Sequence, residues 1–349
     1  MRILHITFSL LNGGKENLLV DIANEQAALG HDVAIVVIKR DVDRAIVKRI
    51  SPSVRYFCLG RSRPGVLSAA WLRLLSVLYL KFRPEIIHSH DIATVKILRL
   101  LFKGKLACTV HGHGYQTKPL RYYQNIFAVS DGVKREIVEK TGLNCTVIHN
   151  GIPTKEIVKK NSYVPGSPLR AVCVGRLYHE EKGQDLIFEA ARVLMHDRGI
   201  QQIQFHLVGA GDSEEFLSTL AGKYRLENDV FFEGNRPRRW IYEHLKEYDF
   251  FILPSRSEAF GLTVAEAMAA GVPVISSDAD GPAEILENGR FGLLFKNGDA
   301  AALAERIEDM VRQISSGEAE IMAEKAWRHC LENYDIKKTA ENYCMAYLP

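Results

Sequence analysis

The chain has 349 residues, of which 47% are hydrophobic and 25% charged. That is a soluble globular mixture too long for one ordinary domain. It holds no apolar run of about 18 residues, which excludes a spanning helix. Net charge is only +3, yet residues 1–170 carry 26 Lys+Arg against 12 Asp+Glu and the rest carries 19 against 30. A basic front half suits an anionic membrane surface, a phosphate-bearing substrate or nucleic acid, or is simply a solvated face. No nucleic-acid recognition motif accompanies that charge, so nucleic acid is not expected as a partner.

The opening MRILHITFSL lacks a basic n-region and a long apolar h-region, and reads as a first strand, not a signal peptide. GGKENLLVDIANEQAALG is a helix stopped by Gly30, and HDVAIVVI a second strand. EIIHSH, KLACTVHG and QNIFAVS are further short apolar runs ending in polar residues. DGVKREIVEKTG is a helix and NCTVIHNG a strand. Residues 159–168, KKNSYVPGSP, are the linker candidate. The pattern restarts with LRAVCVGRL, IQFHLVGAG, VFFEG, DFFILPS and VPVISSD as strands with helices between them. GDAAALAERIEDMVRQI is amphipathic, and the last stretch, residues 319–348, is helical with no strand after it. Six scattered cysteines without a CxxC pair fit reduced thiols in a cytoplasmic protein.

Strand–helix alternation with continuous apolar strands predicts an α/β chain of two doubly wound Rossmann-like domains facing a central cleft, residues 1–160 and 161–325. In such sheets ligands bind outside the carboxyl ends of the strands. The polar strand ends are therefore the candidates: residues 13–14, 88–91, 111–114, 175–182, 209–211 and 255–261.

Among them, EAFGLTVAEAMAAGVPVISSD (residues 258–278) carries the most chemistry. A loop leads into a helix ended by Gly271. First-turn amides have no intrahelical partner and carry positive partial charge, so the entrance suits a phosphate. Gly261 allows close backbone approach. Glu258 stands before the helix and Glu266 within it. A carboxylate that accepts two hydroxyl hydrogens makes a ribose clamp. The spacing fits a nucleoside diphosphate joined to a sugar, and equally fits two surface glutamates on a short helix.

This segment resembles the E-x7-E signature of the family 4 glycosyltransferases, two-domain enzymes of the GT-B fold. Glu258, Phe260, Gly261, Glu266, Ala267, Met268, Gly271, Pro273 and Val274 stand in matching places. Further matches, in order, are GGKENLLVDIANEQAALGHDV, HSHD, AVSDGVKREI, VIHNGI, VCVGRL with KGQDLIFEA, LVGAGD, and GPAEIL with GLLF. The resemblance implies an acceptor-binding domain at 1–160, a nucleotide-sugar domain at 161–325, and a terminal helix at 326–349 packing back on the first. By the same resemblance Glu266 holds the ribose, Glu258 contacts the donor sugar, and the backbone of Ala259, Phe260, Gly261 and Leu262 meets phosphate and sugar. Arg176 and Lys182 neutralise the diphosphate. The family places four residues between these two; here residues 177–181 intervene, so the loop must bulge or Lys182 is displaced.

Gly13 and Gly14 resemble the family's glycine loop over the donor phosphates, and otherwise read as a tight turn. His111 matches a histidine beside the donor sugar. Gly209 and Gly211, with the loop from Gly234 to Arg236, are expected to border the nucleobase. His113, His88 and His90 are readable as metal ligands but lack carboxylate or thiolate partners nearby. Asp278-Ala279-Asp280 and Asp41-Val42-Asp43 are short D-x-D matches. No cofactor and no divalent metal are expected.

The resemblance implies transfer of a sugar from a nucleotide-diphosphate donor, UDP being the first choice, with retention of anomeric configuration. No general base is assigned. The acceptor expected is a surface glycan, lipopolysaccharide or lipid-linked glycan. Residues 61–85, apolar with basic ends, read as a helix lying on an anionic inner leaflet or as a core helix. A cytoplasmic, peripherally bound enzyme follows from the first reading. The alternatives are a non-catalytic nucleotide-sugar-binding subunit and a GT-B epimerase.

Overall fold

The computed structural model describes residues 1–61 and 69–348. The chain divides into two compact units, Met1–Pro153 with Asp335–Pro349, and Thr154–Tyr334.

The first unit is built on β1 (Arg2–Thr7), β2 (Asp32–Lys39), β3 (Val54–Arg61), β4 (Ile86–Ser89), β5 (Lys105–Val110), β6 (Asn125–Ala128) and β7 (Thr146–Val147), in the order β3-β2-β1-β4-β5-β6-β7. The second has β8 (Leu169–Val174), β9 (Ile203–Val208), β10 (Val230–Gly234), β11 (Phe250–Leu253), β12 (Val274–Ser277) and β13 (Leu293–Phe295), in the order β10-β9-β8-β11-β12-β13. The pairings are parallel in both sheets. Parallel neighbours need crossover connections, which the intervening helices supply. Those helices cover the faces, which is why β2 is a buried apolar run without alternation and β12 is buried along its whole length. Strand order reverses between β1 and β4 and again between β8 and β11. Each reversal opens a crevice at the strands' carboxyl ends, and there the candidate residues gather.

The first division falls before residues 159–168, not at 160. The backbone N–H of Lys160 donates to the Ala270 carbonyl (2.8 Å), its Nζ to the Tyr248 carbonyl (2.8 Å), and the Tyr163 hydroxyl to the Gly271 carbonyl (2.8 Å). These bonds fasten that polar stretch to the second unit, a tertiary effect that composition does not carry. The second division falls at Tyr334–Asp335, beyond 326. Helix Glu318–Asn333 stays with the second unit, and Asp335 caps a separate helix, Ile336–Ala346, by accepting from the Lys337 N–H (2.9 Å). That last helix packs on helix Gly14–Ala28 and buries Tyr343 and Tyr347 in the first unit's core.

Within residues 61–85, helix Ala69–Ser76 runs into a wider turn at Val77–Lys81. Residues 62–68 lie outside the described residues. Leu74, Val77 and Leu78 are buried, while Leu72, Tyr79 and Leu80 are exposed. The segment is thus core on one side and an apolar surface on the other. Among the described residues no helix is long and apolar enough to cross a membrane.

Candidate active site

In the second unit, β8 ends at the loop carrying Arg176, and β11 ends at the loop carrying Glu258. Residues 177–181 are accommodated by winding: His179–Lys182 form one helical turn closed by Gly183 at φ 66°. A side chain at 183 would stand 2.0 Å from the Pro254 carbonyl oxygen, so the turn lies against the end of β11 and only glycine fits there. The turn carries Lys182 to Glu258, with Nζ 3.0 Å from Oε2. Lys182 also meets Glu181 at 3.1 Å. Burial opposes the lysine's charge, but the two carboxylates outweigh it and raise its pKa.

Arg256 joins the two loops. Its guanidinium makes a bidentate pair with Asp185 (2.7 and 2.6 Å) and donates to the His179 carbonyl (2.6 Å), and its backbone N–H donates to the Glu181 carbonyl (2.8 Å). Bidentate geometry fixes orientation as well as distance. Arg176 pairs with Asp212 at 3.2 Å, both mostly exposed, a pair of little energetic weight.

After Glu258 the chain passes half-buried Ala259 and buried Phe260 to Gly261, whose φ of 103° is forbidden to most residues. Helix Leu262–Ala269 starts there. Gly281 backs this loop: its N–H donates to the Glu258 carbonyl (3.2 Å), and a side chain at 281 would stand 2.4 Å from the Phe260 nitrogen. Glu266 is buried in that helix and accepts from the Tyr242 hydroxyl at 3.2 Å. Arg238 in turn donates to Tyr242. Arg236 sits at the end of β10, half exposed, bonded to Glu233 (3.3 Å) and lying over Trp240.

Gly209 and Gly211 have a packing reason. Side chains there would stand 1.9 Å from the Gly175 oxygen and 2.3 Å from the Leu177 oxygen. They let the Arg176 loop close onto the end of β9. The D-x-D segments have local duties: Asp278 accepts from the Asn297 N–H (2.8 Å), and Asp43 caps a short helix through the Ala45 N–H (2.7 Å).

The first unit's strand ends form a second cluster. Gly13 has extended backbone and precedes Gly14, which starts helix Gly14–Ala28. Lys15 of that helix pairs with Asp91 at 2.9 Å, and Asp91 also accepts from the Thr7 hydroxyl (2.8 Å) and the Phe8 N–H (2.7 Å). Burial works against the Asp91 charge, yet Lys15 and these donors hold its carboxyl below its ordinary range. His111 and His90, bonded at 3.0 Å, line a cavity of about 290 Å³ with Asp91, Lys96, Tyr115 and Gln116. His113 faces Glu136 instead (2.8 Å). His5, His88 and His90 cluster within ligand range of one another, but their ring nitrogens already bond to side chains: His88 to Tyr347 (2.6 Å) and Thr109 (2.7 Å), His5 to Gln26 (2.7 Å) and His90 (3.0 Å).

Residues 12–156 match the model of Glycosyltransferase Family 4, and residues 154–327 match that of Glycosyl transferases group 1. The chain belongs to these glycosyltransferases. It is 37% identical over 161 residues to the amylovoran biosynthesis glycosyltransferase AmsK of Erwinia amylovora, covering 44% of this chain and 38% of AmsK. It is 33% identical over 168 residues to the putative colanic acid biosynthesis glycosyltransferase WcaL of Salmonella typhimurium, covering 46% of this chain and 41% of WcaL. The matches thus span about two fifths of those relatives' length. The structure of Anabaena HepE in complex with UDP superposes with a TM-score of 0.82 at 20% identity, over 99% of each chain. The fold is GT-B.

In this glycosyltransferase, the residues that sequence reasoning passed over are Arg256, Asp185, Tyr242, Gly183 and Gly281. Arg256 sits two residues before Glu258, outside the 258–278 segment but within the strand end at residues 255–261, and its charge was the available signal. Tyr242 gave none, because its partner lies 24 residues away.

Proposed function

We propose that the chain transfers a sugar, with retention, from a UDP-sugar to a hydroxyl of a growing surface glycan, lipopolysaccharide or lipid-linked acceptor. The observation that carries this is the 3.0 Å contact of Lys182 with Glu258, beside the helix entrance at Gly261 and in the unit that buries Glu266. A cation for the leaving diphosphate and an acid for the sugar share one place, and fixed positive charge stabilises the departing anion. Glu266, held by Tyr242, takes the ribose. Arg176 and the backbone of residues 259–262 take the phosphates, Arg236 and Gly209 border the base, and Gly13, Gly14 and His111 are assigned to the donor by the family resemblance. The donor choice is supported by HepE, solved with UDP. The acceptor class is supported by the polysaccharide-building names of AmsK and WcaL. No divalent metal takes part in this reading.

The test is a thermal-shift screen with UDP, GDP and ADP, followed by turnover assays with and without EDTA. A rise in melting temperature is expected with UDP. No shift with any of the three removes the donor assignment, and activity abolished by EDTA removes the metal-free one.

We also propose that the exposed Leu72, Tyr79 and Leu80, flanked by Lys81 and Arg83, rest on an anionic membrane surface at the cytoplasmic face. Cosedimentation with anionic liposomes at low salt tests it. Protein left in the supernatant ends this part alone.

A further inference from the structure

Four side chains in the first unit form one continuous hydrogen-bond chain. His111 Nε2 meets His90 Nδ1 at 3.0 Å, His90 Nε2 meets His5 Nδ1 at 3.0 Å, and His5 Nε2 meets Gln26 Oε1 at 2.7 Å. Strand register makes this possible. His5 pairs with His88 and His88 with Ala107, so residues 88, 90, 109 and 111 share the face that carries His5. Helix Gly14–Ala28 covers that face and supplies Gln26, which is wholly buried with His5.

Each neutral imidazole carries one proton, and each link needs one donor and one acceptor. One end therefore sets the direction of the whole chain. With Gln26 Oε1 accepting, His5 must hold its proton on Nε2 and offer Nδ1. His90 must then donate from Nε2, and so must His111. The outer nitrogen of His111, Nδ1, is left bare on the ring that lines the cavity. With the amide reversed, every proton moves to the other nitrogen, and His111 presents N–H instead. In the observed arrangement the buried Gln26 Nε2 makes no hydrogen bond of full geometry among the described residues, but it faces the Tyr347 hydroxyl and the Cys344 thiol, which can accept from it. The imidazoles stay neutral for this logic to hold. Burial, first of all, pushes His5 down to about 4 and His111 to about 3, with His90 well below its ordinary value. His90 also stacks on His88 (4.6 Å) and on His111 (5.2 Å), so the hydrogen-bonded rings pack face to face.

We propose that Gln26, acting through His5 and His90, is a positioning residue that locks His111 in the Nε2–H tautomer, so that Nδ1 accepts a hydrogen bond from a substrate hydroxyl. The hydroxyl rests on the glycosyl-transfer reading, whereas the tautomer does not. An acceptor here selects a hydroxyl that can donate, and refuses a substrate carrying an ether or a carboxylate at that position.

The experiment is long-range ¹⁵N–¹H correlation NMR on the full chain labelled at histidine, with no ligand added. Bare Nδ1 and protonated Nε2 are expected for His5, His90 and His111. Nδ1 protonation of His111 in the unaltered protein overturns the lock, and this measurement needs no variant. Gln26→Met removes the acceptor at nearly constant volume. In the folded variant the His111 proton should move wholly or partly to Nδ1, with kcat/KM lowered about three- to tenfold, the worth of one neutral hydrogen bond. A His111 pattern unchanged in folded Gln26→Met also overturns the lock. A chain that keeps the expected pattern but turns over no nucleotide sugar loses the transfer reading and keeps the lock. The reverse outcome costs only the lock.

Discussion

The two strand-end clusters solve opposite problems with opposite chemistry. In the second unit the polar groups are ionised, paired and partly open to water: Lys182 and Glu258 are each about a quarter exposed, and Arg176 and Asp212 more so. Such pairs exchange partners at small cost. A diphosphate can take Lys182 and Arg176 from their carboxylates without leaving a buried charge behind. In the first unit, beside the Lys15–Asp91 pair, the cluster is a run of neutral imidazoles, buried and bonded end to end. Breaking any link there strands a buried donor or acceptor, which costs about 1–3 kcal/mol. One cluster is fit to change hands, the other to keep an orientation.

The largest expected consequence concerns acid. His5 has an ordinary value of 6.5 and a folded value of about 4. Between those values the unfolded chain binds more protons than the folded one, so stability is complete above about pH 6.5 and falls as pH drops towards 4. His5 alone contributes a loss of about 3 kcal/mol over that window, and His88 and His90 act in the same direction. Urea melts at pH 7.5 and pH 5 should show the loss. Equal midpoints would mean that the imidazoles are charged or hydrated, and that the contrast between the clusters is false.

Next comes Glu258→Ala. It removes the acid proposed to touch the donor sugar and leaves Lys182 paired with Glu181 alone. A fall in kcat of about a hundredfold or more is expected, with little change in melting temperature because the pair is partly exposed. Full turnover would move the chemistry away from this loop. Glu266→Ala should weaken nucleoside diphosphate binding about ten- to a hundredfold, since a hydrogen bond to a charged group is worth about 1.5–3 kcal/mol. Isothermal titration measures it directly, and unchanged affinity would detach Glu266 from the ribose.

How much of this was legible in the sequence differs by level. Alternating apolar runs disclosed two parallel sheets because burial on both faces leaves a pattern along the chain itself. The segment at residues 258–278 disclosed its helix entrance because loop, glycine and helix are consecutive. What stayed hidden depends on register between distant segments. Arg256 finds Asp185 only once β11 lies beside β8. Gln26 finds His5 only once helix Gly14–Ala28 settles on β1. The extra residue before Lys182 raised a doubt that spacing could not resolve, because the answer is a single helical turn braced by the end of β11. Residues 159–168 looked like a linker because Lys, Pro, Gly and Ser mark exposed chain, yet Lys160 is buried against the Tyr248 carbonyl.

The smallest effect probes the exchange of partners most finely. Lys182 stands between Glu258 and Glu181, and Glu181 is half exposed. Before a diphosphate can use Lys182 fully, both carboxylates must yield. Glu181→Gln keeps the side chain's size and its backbone contact with Arg256 while removing one competitor. Nucleoside diphosphate affinity should therefore rise, by about two- to threefold, because an exposed pair is worth no more than about 1 kcal/mol. Salt near 1 M should erase the gain, since the Debye length then falls to about 3 Å, comparable with the contact itself. A gain that survives high salt would point to altered loop shape instead of relieved competition. A loss of affinity would show that Glu181 steadies Lys182 for the ligand, and would place this turn with the fixed cluster, not the exchangeable one.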